Sequence, residues 1–297
     1  MNGTPRVLVA SKETRLTLYQ GEAEALARLE ASDQESLSRM EASHQEHFQS
    51  LGQVEAELTR RGWPYALRLH TQVEDTSGFD LVLTVGGDGT VLNLSHKILS
   101  ETPLLGVNSS PSYSVGYFCG CDAAHLRATL DGIEARKVPL FSLCRLWVLI
   151  NGARCPVPVL NDLLITDVNP AATSRYVLQL PGALGERQRS SGVWISTSAG
   201  STAAIRSAGG SVLPLRARLV QYLIREPYLP KERRYHHLRG VQELEEPILI
   251  TSLMDDARVY LDGPHNSWPL ALGDVIEVRG DAPPLLIYGL EEARRFV

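Results

Sequence analysis

The stretch Leu81-Val82-Leu83-Thr84-Val85-Gly86-Gly87-Asp88-Gly89-Thr90-Val91-Leu92-Asn93-Leu94-Ser95-His96 decides how the rest of the chain is read. Its first five residues are aliphatic or β-branched with no polar alternation beyond Thr84, the texture of a strand buried on both faces. Its last seven open a helix. Between them lies a turn of three glycines and one carboxylate. Glycine permits positive φ and lets a ligand approach the backbone closely, and the N–H groups at a following helix N-terminus make an anion site. A carboxylate beside a phosphate cradle repels the phosphate unless it has a task. Holding Mg²⁺ is one such task, and taking a proton from an attacking hydroxyl is another. The stretch predicts a phosphoryl-transfer site, with Gly86, Gly87, Gly89 and Thr90 around the phosphate and Asp88 doing the chemistry. The plainer alternative is an ordinary strand-to-helix turn, where Gly-Gly and Asp-Gly pairs are common.

Working outward, Arg6 to Ala10 predicts a short buried strand, Ser11 to Tyr19 its loop, and Gly21 to Arg61 a long polar helix-forming stretch ended by Gly62 and Pro64. His44 and His47 in that stretch read as two partly exposed helix histidines rather than a metal pair. Leu67 to His70 suggests a second strand, and Pro103 to Asn108 another buried one. Strand, glycine turn, helix, strand implies βαβ crossovers and a parallel sheet, whose ligands bind at the carboxyl ends of the strands. Asp88 and Asn108 would both fall there.

Beyond Gly132 the texture changes to short β-rich runs separated by turn residues, with Leu215 to Arg225 read as a helical or irregular excursion. The expected architecture is a parallel-sheet α/β domain over residues 1–133, then a β-rich, sandwich-like domain over 134–280. Residues 281–297 form a C-terminal segment that could return to the first domain.

The second domain carries two further constellations. Residues 189–210 run from a strand into a turn built almost wholly of small residues and hydroxyls, where a planar ligand can lie against backbone. The hydroxyls of Thr197, Ser201 and Thr202 can bond phosphate, ribose or base edges. Arg189 and Arg206 flank it as phosphate partners or as ordinary surface arginines. In Val159-Leu160-Asn161-Asp162-Leu163-Leu164-Ile165 an amide and a carboxylate interrupt an apolar run. Buried polar groups need partners, and a sugar diol suits them; a hairpin turn is the alternative.

Composition narrows the choice. A net charge of −5 and a pI near 5.9 argue against a general nucleic-acid binder. No apolar run approaches the ~20 residues of a membrane span, and no basic-then-apolar leader is visible at the N-terminus. A cytoplasmic protein is expected, and its four cysteines, with no Cys-x-x-Cys, read as reduced thiols.

Together these pieces resemble the NAD kinase family, within the superfamily that shares the Gly-Gly-Asp-Gly turn with phosphofructokinases and with diacylglycerol and sphingosine kinases. The resemblance covers roughly residues 80–280. It rests on Gly86 to Thr90, on Gly106-Val107-Asn108, and on Asn161-Asp162 where the family usually has Asn-Glu. It rests also on Thr197-Ser198-Ala199-Gly200-Ser201-Thr202-Ala203, on Ser207-Ala208-Gly209-Gly210, and on the late Asp262-Gly263 and Gly273-Asp274. Ser191 stands where the family commonly has an aspartate, Ala204 where it has an aromatic residue, and the loop after Asn108 looks longer than usual. These departures look more like the plant-type NADH kinase branch.

The resemblance implies transfer of the γ-phosphoryl of ATP, with Mg²⁺ or another divalent cation, to the adenosine 2′-hydroxyl of NAD(H). Asp88 would be the general base and could touch the metal. Asn108, Asn161, Asp162, Arg189, Thr197, Ser201, Thr202, Ala203 and Ser207 would serve the dinucleotide, Thr197 and Ser201 by supporting the turn. It also implies a homodimer or higher homo-oligomer acting on small molecules, without nucleic acid or membrane. Replacing the usual aspartate by Ser191 removes a favourable field for the positively charged oxidised ring, so use of NADH, or a preference for it, is expected. Two rivals are a lipid kinase of the same superfamily, for which no amphipathic basic stretch appears, and a non-catalytic dinucleotide sensor, whose signature would be loss of the turn's carboxylate.

Overall fold

The run Leu81 to Val85 is a fully buried strand at the centre of the first of two compact units in this computed structural model. The structure describes residues 3–19, 23–229, 234–243 and 245–292. The first unit comprises the chain up to Phe141 together with the segment from Leu285, and the second spans Ser142–Pro284.

In the first unit, β1 (Val7–Ser11), β2 (Tyr65–Leu69), β3 (Leu81–Gly86), β4 (Leu104–Asn108) and β5 (Cys119–Asp122) form a parallel sheet in the order β2-β1-β3-β4-β5. Every residue of β1, β3 and β4 is buried, which is why these runs show no polar alternation. The register aligns Ser11 with Val85 and Asn108 with Gly86, so three adjacent strands end level with one another. Ser11 to Tyr19, expected as a loop, contains a short helix α1 (Arg15–Tyr19).

The long polar stretch divides into α2 (Ala23–Ser32) and α3 (Gln34–Arg61), and Gly21 lies outside the described residues. The break falls at Asp33, whose carboxylate takes the Ser36 N–H at 3.0 Å and caps α3. Leu51, Val54 and Leu58, spaced three and four apart, dock the C-terminal half of α3 on the sheet against Val9, Leu83 and Leu105. Buried Glu57 on the same half pairs with Arg60, Arg61 and Arg127, and Arg61 reaches Asp131 and Glu134 on α5 (Leu126–Glu134). The helix after the glycine turn, α4, spans Asp88–Ser95.

The second unit is an antiparallel sandwich. One sheet runs in the order β13 (Arg239–Glu243), β12 (Leu219–Ile224), β11 (Val193–Thr197), β8 (Asp162–Asp167), β15 (Ala257–Leu261), β16 (Asn266–Leu270). The other contains β10 (Glu186–Ser190), β9 (Ser174–Gln179), β14 (Ile248–Ser252) and β17 (Val275–Tyr288), with β6 (Leu140–Ile150) and the two-residue β7 (Ala153–Arg154) joined to β17. Alternate residues of both sheets, among them Leu163, Ile195 and Val259 from one and Tyr176, Ile250 and Ile276 from the other, fill a single core. Leu215 to Arg225 is no helical excursion, because β12 pairs on both sides within its sheet. Gln221, which interrupts the apolar run, is buried and bonds the main chain of Ser211 through both amide atoms. The last residues of β17 belong to the first unit, where Ile287 pairs parallel with Leu104.

Candidate active site

The glycine turn lies where β1, β3 and β4 end, and it lines a cavity of about 760 Å³ in the first unit. Gly87, Asp88, Gly89, Thr90 and Asn108 are on its wall, and Gly86 is not among the lining residues. None of Gly86, Gly87 and Gly89 has positive φ. Gly86 is required by close approach instead: a Cβ there would lie 2.7 Å from Thr90 Cβ, so any side chain would push α4 away from its strand.

Both oxygens of Asp88 are held by main chain. The Tyr117 N–H donates to Oδ2 at 3.0 Å and the Phe118 N–H to Oδ1 at 2.7 Å. These donors come from the loop after Asn108, which Asn108 itself folds by donating to Ser114 O and accepting from the Ser110 N–H. Asn108 therefore shapes the wall that holds Asp88, with its own amide already engaged.

Sequence reasoning missed the opposite wall, which comes from the N-terminal half of α3. Ser36, Arg39, Met40, Ser43 and His44 recur at three-and-four spacing and line the cavity together with Lys12 and Arg15. His47, expected to be partly exposed, is fully buried, with Nε2 3.1 Å from Ser11 Oγ and Nδ1 2.9 Å from Ser109 Oγ. Burial, reinforced by the charge of Lys12, pulls its pKa down to about 4, so it is neutral at pH 7. The helical spacing of polar residues was the signal available, and only the strand ends of the fold give it meaning.

In the second unit Asp162 opens β8 and Asn161 immediately precedes it. The carboxylate of Asp262 gathers them, accepting from the N–H groups of Leu160 at 2.8 Å, Asn161 at 2.7 Å and Asp162 at 3.1 Å. Fully buried Arg145 is held down to about 10 by burial, and the charge of Asp262 opposes that shift. Asp162 is buried, and burial followed by the charge of Asp262 pushes its carboxyl up to about 7. The Asn161 side-chain oxygen is buried without a hydrogen-bond partner among the described residues.

The small-residue turn packs directly on this strand entry. A Cβ on Gly200 would lie 2.0 Å from Asn161 O, so only glycine fits. Thr197 and Ser201 are wholly buried, and their hydroxyls donate to Leu160 O and Ser198 O. They hold the turn and present nothing to a ligand, whereas Thr202 and Ala203 are partly exposed. Ser207 is exposed at the end of the short helix Ala204–Ser207. Arg189 is also exposed, on the outward face of β10, with its guanidinium over the Tyr228 ring at 4.9 Å.

Among the described residues no cluster of three His, Cys, Asp or Glu side chains suits a metal ion, and no helix is long and apolar enough to cross a membrane. None of the four cysteines is in a disulfide.

Fold and cavity define a protein with an α/β unit whose glycine turn lines a cavity and carries a fixed carboxylate, joined to an antiparallel sandwich. Residues 9–138 match the family model described as the ATP-NAD kinase N-terminal domain. A probable NADH kinase of Oryza sativa subsp. japonica is 37% identical over 229 residues, 70% of each chain. An NADH kinase of Arabidopsis thaliana is 34% identical over 239 residues, 72% of this chain and 75% of its own. The chain belongs to the NAD kinase family. Among solved structures, an NAD kinase from Archaeoglobus fulgidus in complex with ATP superposes with a TM-score of 0.67 at 21% identity, covering 98% of this chain and 95% of that one. The yeast NADH kinase complexed with NADH gives the same TM-score at 15% identity, covering 98% and 85%. Both share the fold.

Proposed function

We propose that this protein transfers the γ-phosphoryl group of ATP to the adenosine 2′-hydroxyl of NAD(H), forming NADP(H), and that it uses NADH. Within a family of this kind, the observation that carries the reading is Asp88, a carboxylate held by two main-chain donors at the mouth of a glycine turn. Phosphoryl transfer asks a protein mainly for positioning and charge neutralisation. Asp88 takes the proton of the attacking hydroxyl. The hydroxyl oxygen forms its bond to the γ-phosphorus, the bond from that phosphorus to the bridging oxygen breaks, and its electron pair leaves with ADP. The Tyr117 and Phe118 N–H groups keep the Asp88 carboxylate aimed for the step.

The residues present fit a magnesium ion brought in with the donor. Mg²⁺ takes one or two carboxylates plus substrate phosphates rather than an all-protein cage, and Asp88 lies on the cavity wall. Bound there, the ion would offset charge on the transferring phosphate.

The dinucleotide is assigned to Asn161, Asp162, Thr202 and Ala203. A ribose hydroxyl donating to the Asn161 oxygen, which has no partner among the described residues, would satisfy it, and the Asp162 carboxyl, pushed up to about 7, can donate when protonated or accept when ionised. Thr197 and Ser201 support that surface from beneath, and Asn108 supports Asp88. Ser191 in place of the family's usual aspartate removes an attraction for the oxidised ring, in keeping with the two plant relatives being named a probable NADH kinase and an NADH kinase. Neither the family model nor these relatives favour a lipid kinase or a sensor. A homo-oligomer is part of the reading and is tested by sedimentation. Incubating the protein with ATP, Mg²⁺ and either NAD⁺ or NADH tests the whole: formation of NADPH from NADH supports it, and no product with either form refutes it.

A further inference from the structure

We propose that Lys12 is the residue that receives the phosphate chain of the donor, contacting it through Nζ. This rests on reading the glycine-turn cavity as the donor site, and it assigns the counter-charge that reading leaves open. Lys12 follows β1 immediately, and its N–H donates to Val85 O at 2.9 Å, which sets it level with Gly86 on the neighbouring strand. Its side chain lines the same cavity as Gly87, Asp88 and Gly89.

Lys12 differs from the cavity's other cations. Arg15 and Arg39 are exposed, whereas Lys12 is half-buried. Among the described residues it forms no ion pair, and its one side-chain partner is the neutral Ser110 Oγ at 3.2 Å. Burial lowers its pKa, an effect the charge of Glu46 opposes. An ammonium partly withdrawn from water with a single neutral partner is stabilised by an incoming anion. The loop it rests on is itself fixed. Ser110 Oγ donates to Ser43 O at 3.1 Å, Ser50 Oγ to Ser109 O at 3.0 Å, and His47 spans Ser11 and Ser109. The polar half of α3 thus holds the wall from which Lys12 reaches, giving that stretch of helix a task that core packing does not.

In the transfer, negative charge builds on the bridging oxygen as it leaves with the diphosphate. A fixed ammonium beside the chain offsets charge both before and after the bond breaks.

The contact is separable from a structural role, because a glutamine can still donate to Ser110 Oγ but carries no charge. The experiment titrates ATP and inorganic tripolyphosphate onto the wild type, Lys12→Gln and Lys12→Arg by calorimetry, with NADH as a control and a thermal melt of each protein. Lys12→Gln is expected to weaken both triphosphates by the same factor, about 10–100-fold, with NADH within about threefold and the wild-type binding falling as salt rises. Lys12→Arg, which keeps the charge, is expected to stay within about tenfold of the wild type. Wild-type-like tripolyphosphate binding by Lys12→Gln overturns the proposal and leaves the donor-site reading intact, as does equal loss in the Gln and Arg proteins. Loss of ATP but not of tripolyphosphate places the lysine against the nucleoside and also overturns it. A wild type that binds neither triphosphate overturns the donor-site reading and this proposal together.

Discussion

Two aspartates, each at the edge of a buried strand, are treated in opposite ways. Asp88 stands at the start of α4 with both oxygens fixed by main-chain N–H groups and its face on a cavity. Asp162 stands at the start of β8, buried, without a hydrogen bond to its carboxyl among the described residues, and beside the like charge of Asp262. Donors aimed at both oxygens of a carboxylate hold it oriented, which suits a base. Burial and a like charge drive Asp162 towards the neutral form, which suits recognition of hydroxyls. The side chain is the same, and the environment assigns the role.

The contrast breaks most visibly at Asp88. Asp88→Asn keeps the shape and loses the proton acceptor, so kcat should fall by about 10²–10⁴-fold while NADH binding, followed by calorimetry, stays near the wild type. Near-normal turnover would remove the base assignment.

A smaller effect is expected from the residue that organises the second site. Asp262→Asn weakens the acceptor of three N–H groups and leaves Arg145 without its compensating charge, so the Asn161–Asp162 entry should loosen. The KM for NADH is expected to rise about tenfold with kcat within about threefold, a loss of roughly 1.4 kcal/mol in dinucleotide binding. A matching fall in kcat with KM unchanged would place Asp262 in the chemical step instead.

Stability sharpens the comparison further. The folded-state pKa of Asp162 is raised to about 7. Its contribution is fully present below the ordinary carboxyl pKa and is lost as pH rises through about 7. Asp162→Asn removes that penalty, so it should raise Tm at pH 8 by about 2–4 °C per kcal/mol recovered, with the gain vanishing near pH 4. A gain of equal size at both pH values would show that the carboxyl is not buried as described.

The smallest expected effect concerns the redox form of the acceptor. Ser191→Asp restores the missing carboxylate and should shift the ratio of kcat/KM for NAD⁺ over NADH upward by about two- to tenfold, less at high salt. An unchanged ratio would remove Ser191 from the account of specificity.

What could be read in advance follows from locality. Leu81 to Thr90 declares strand, turn and helix within ten residues, because burial on both faces and glycine spacing are local properties. The alternating runs after Gly132 likewise give the sandwich. Leu215 to Arg225 read as an excursion, whereas β12 is a strand whose buried Gln221 finds its partner, Ser211, across a turn that apolar patterning does not register. Asp262 and Lys12 were opaque for a stronger reason. The N–H groups that Asp262 gathers are about a hundred residues away in sequence, and Lys12 meets Ser110 across 98 residues. His47 looked like a surface helix residue because its partners, Ser11 and Ser109, reach it only once three strand ends are aligned. The residues alone do not show Thr197 and Ser201 as internal struts of the turn, since hydroxyls read alike whether they face ligand or main chain; that expectation comes from the family resemblance.

The central claim is tested most directly by measuring 2′-phosphorylated product from purified protein supplied with ATP, Mg²⁺ and NADH or NAD⁺, with Asp88→Asn in parallel. The account predicts NADPH from NADH at a kcat/KM at least comparable with that for NAD⁺, and loss of turnover in the variant with NADH binding retained. Absence of product from both nucleotides, or a variant that turns over as fast as the wild type, would contradict it.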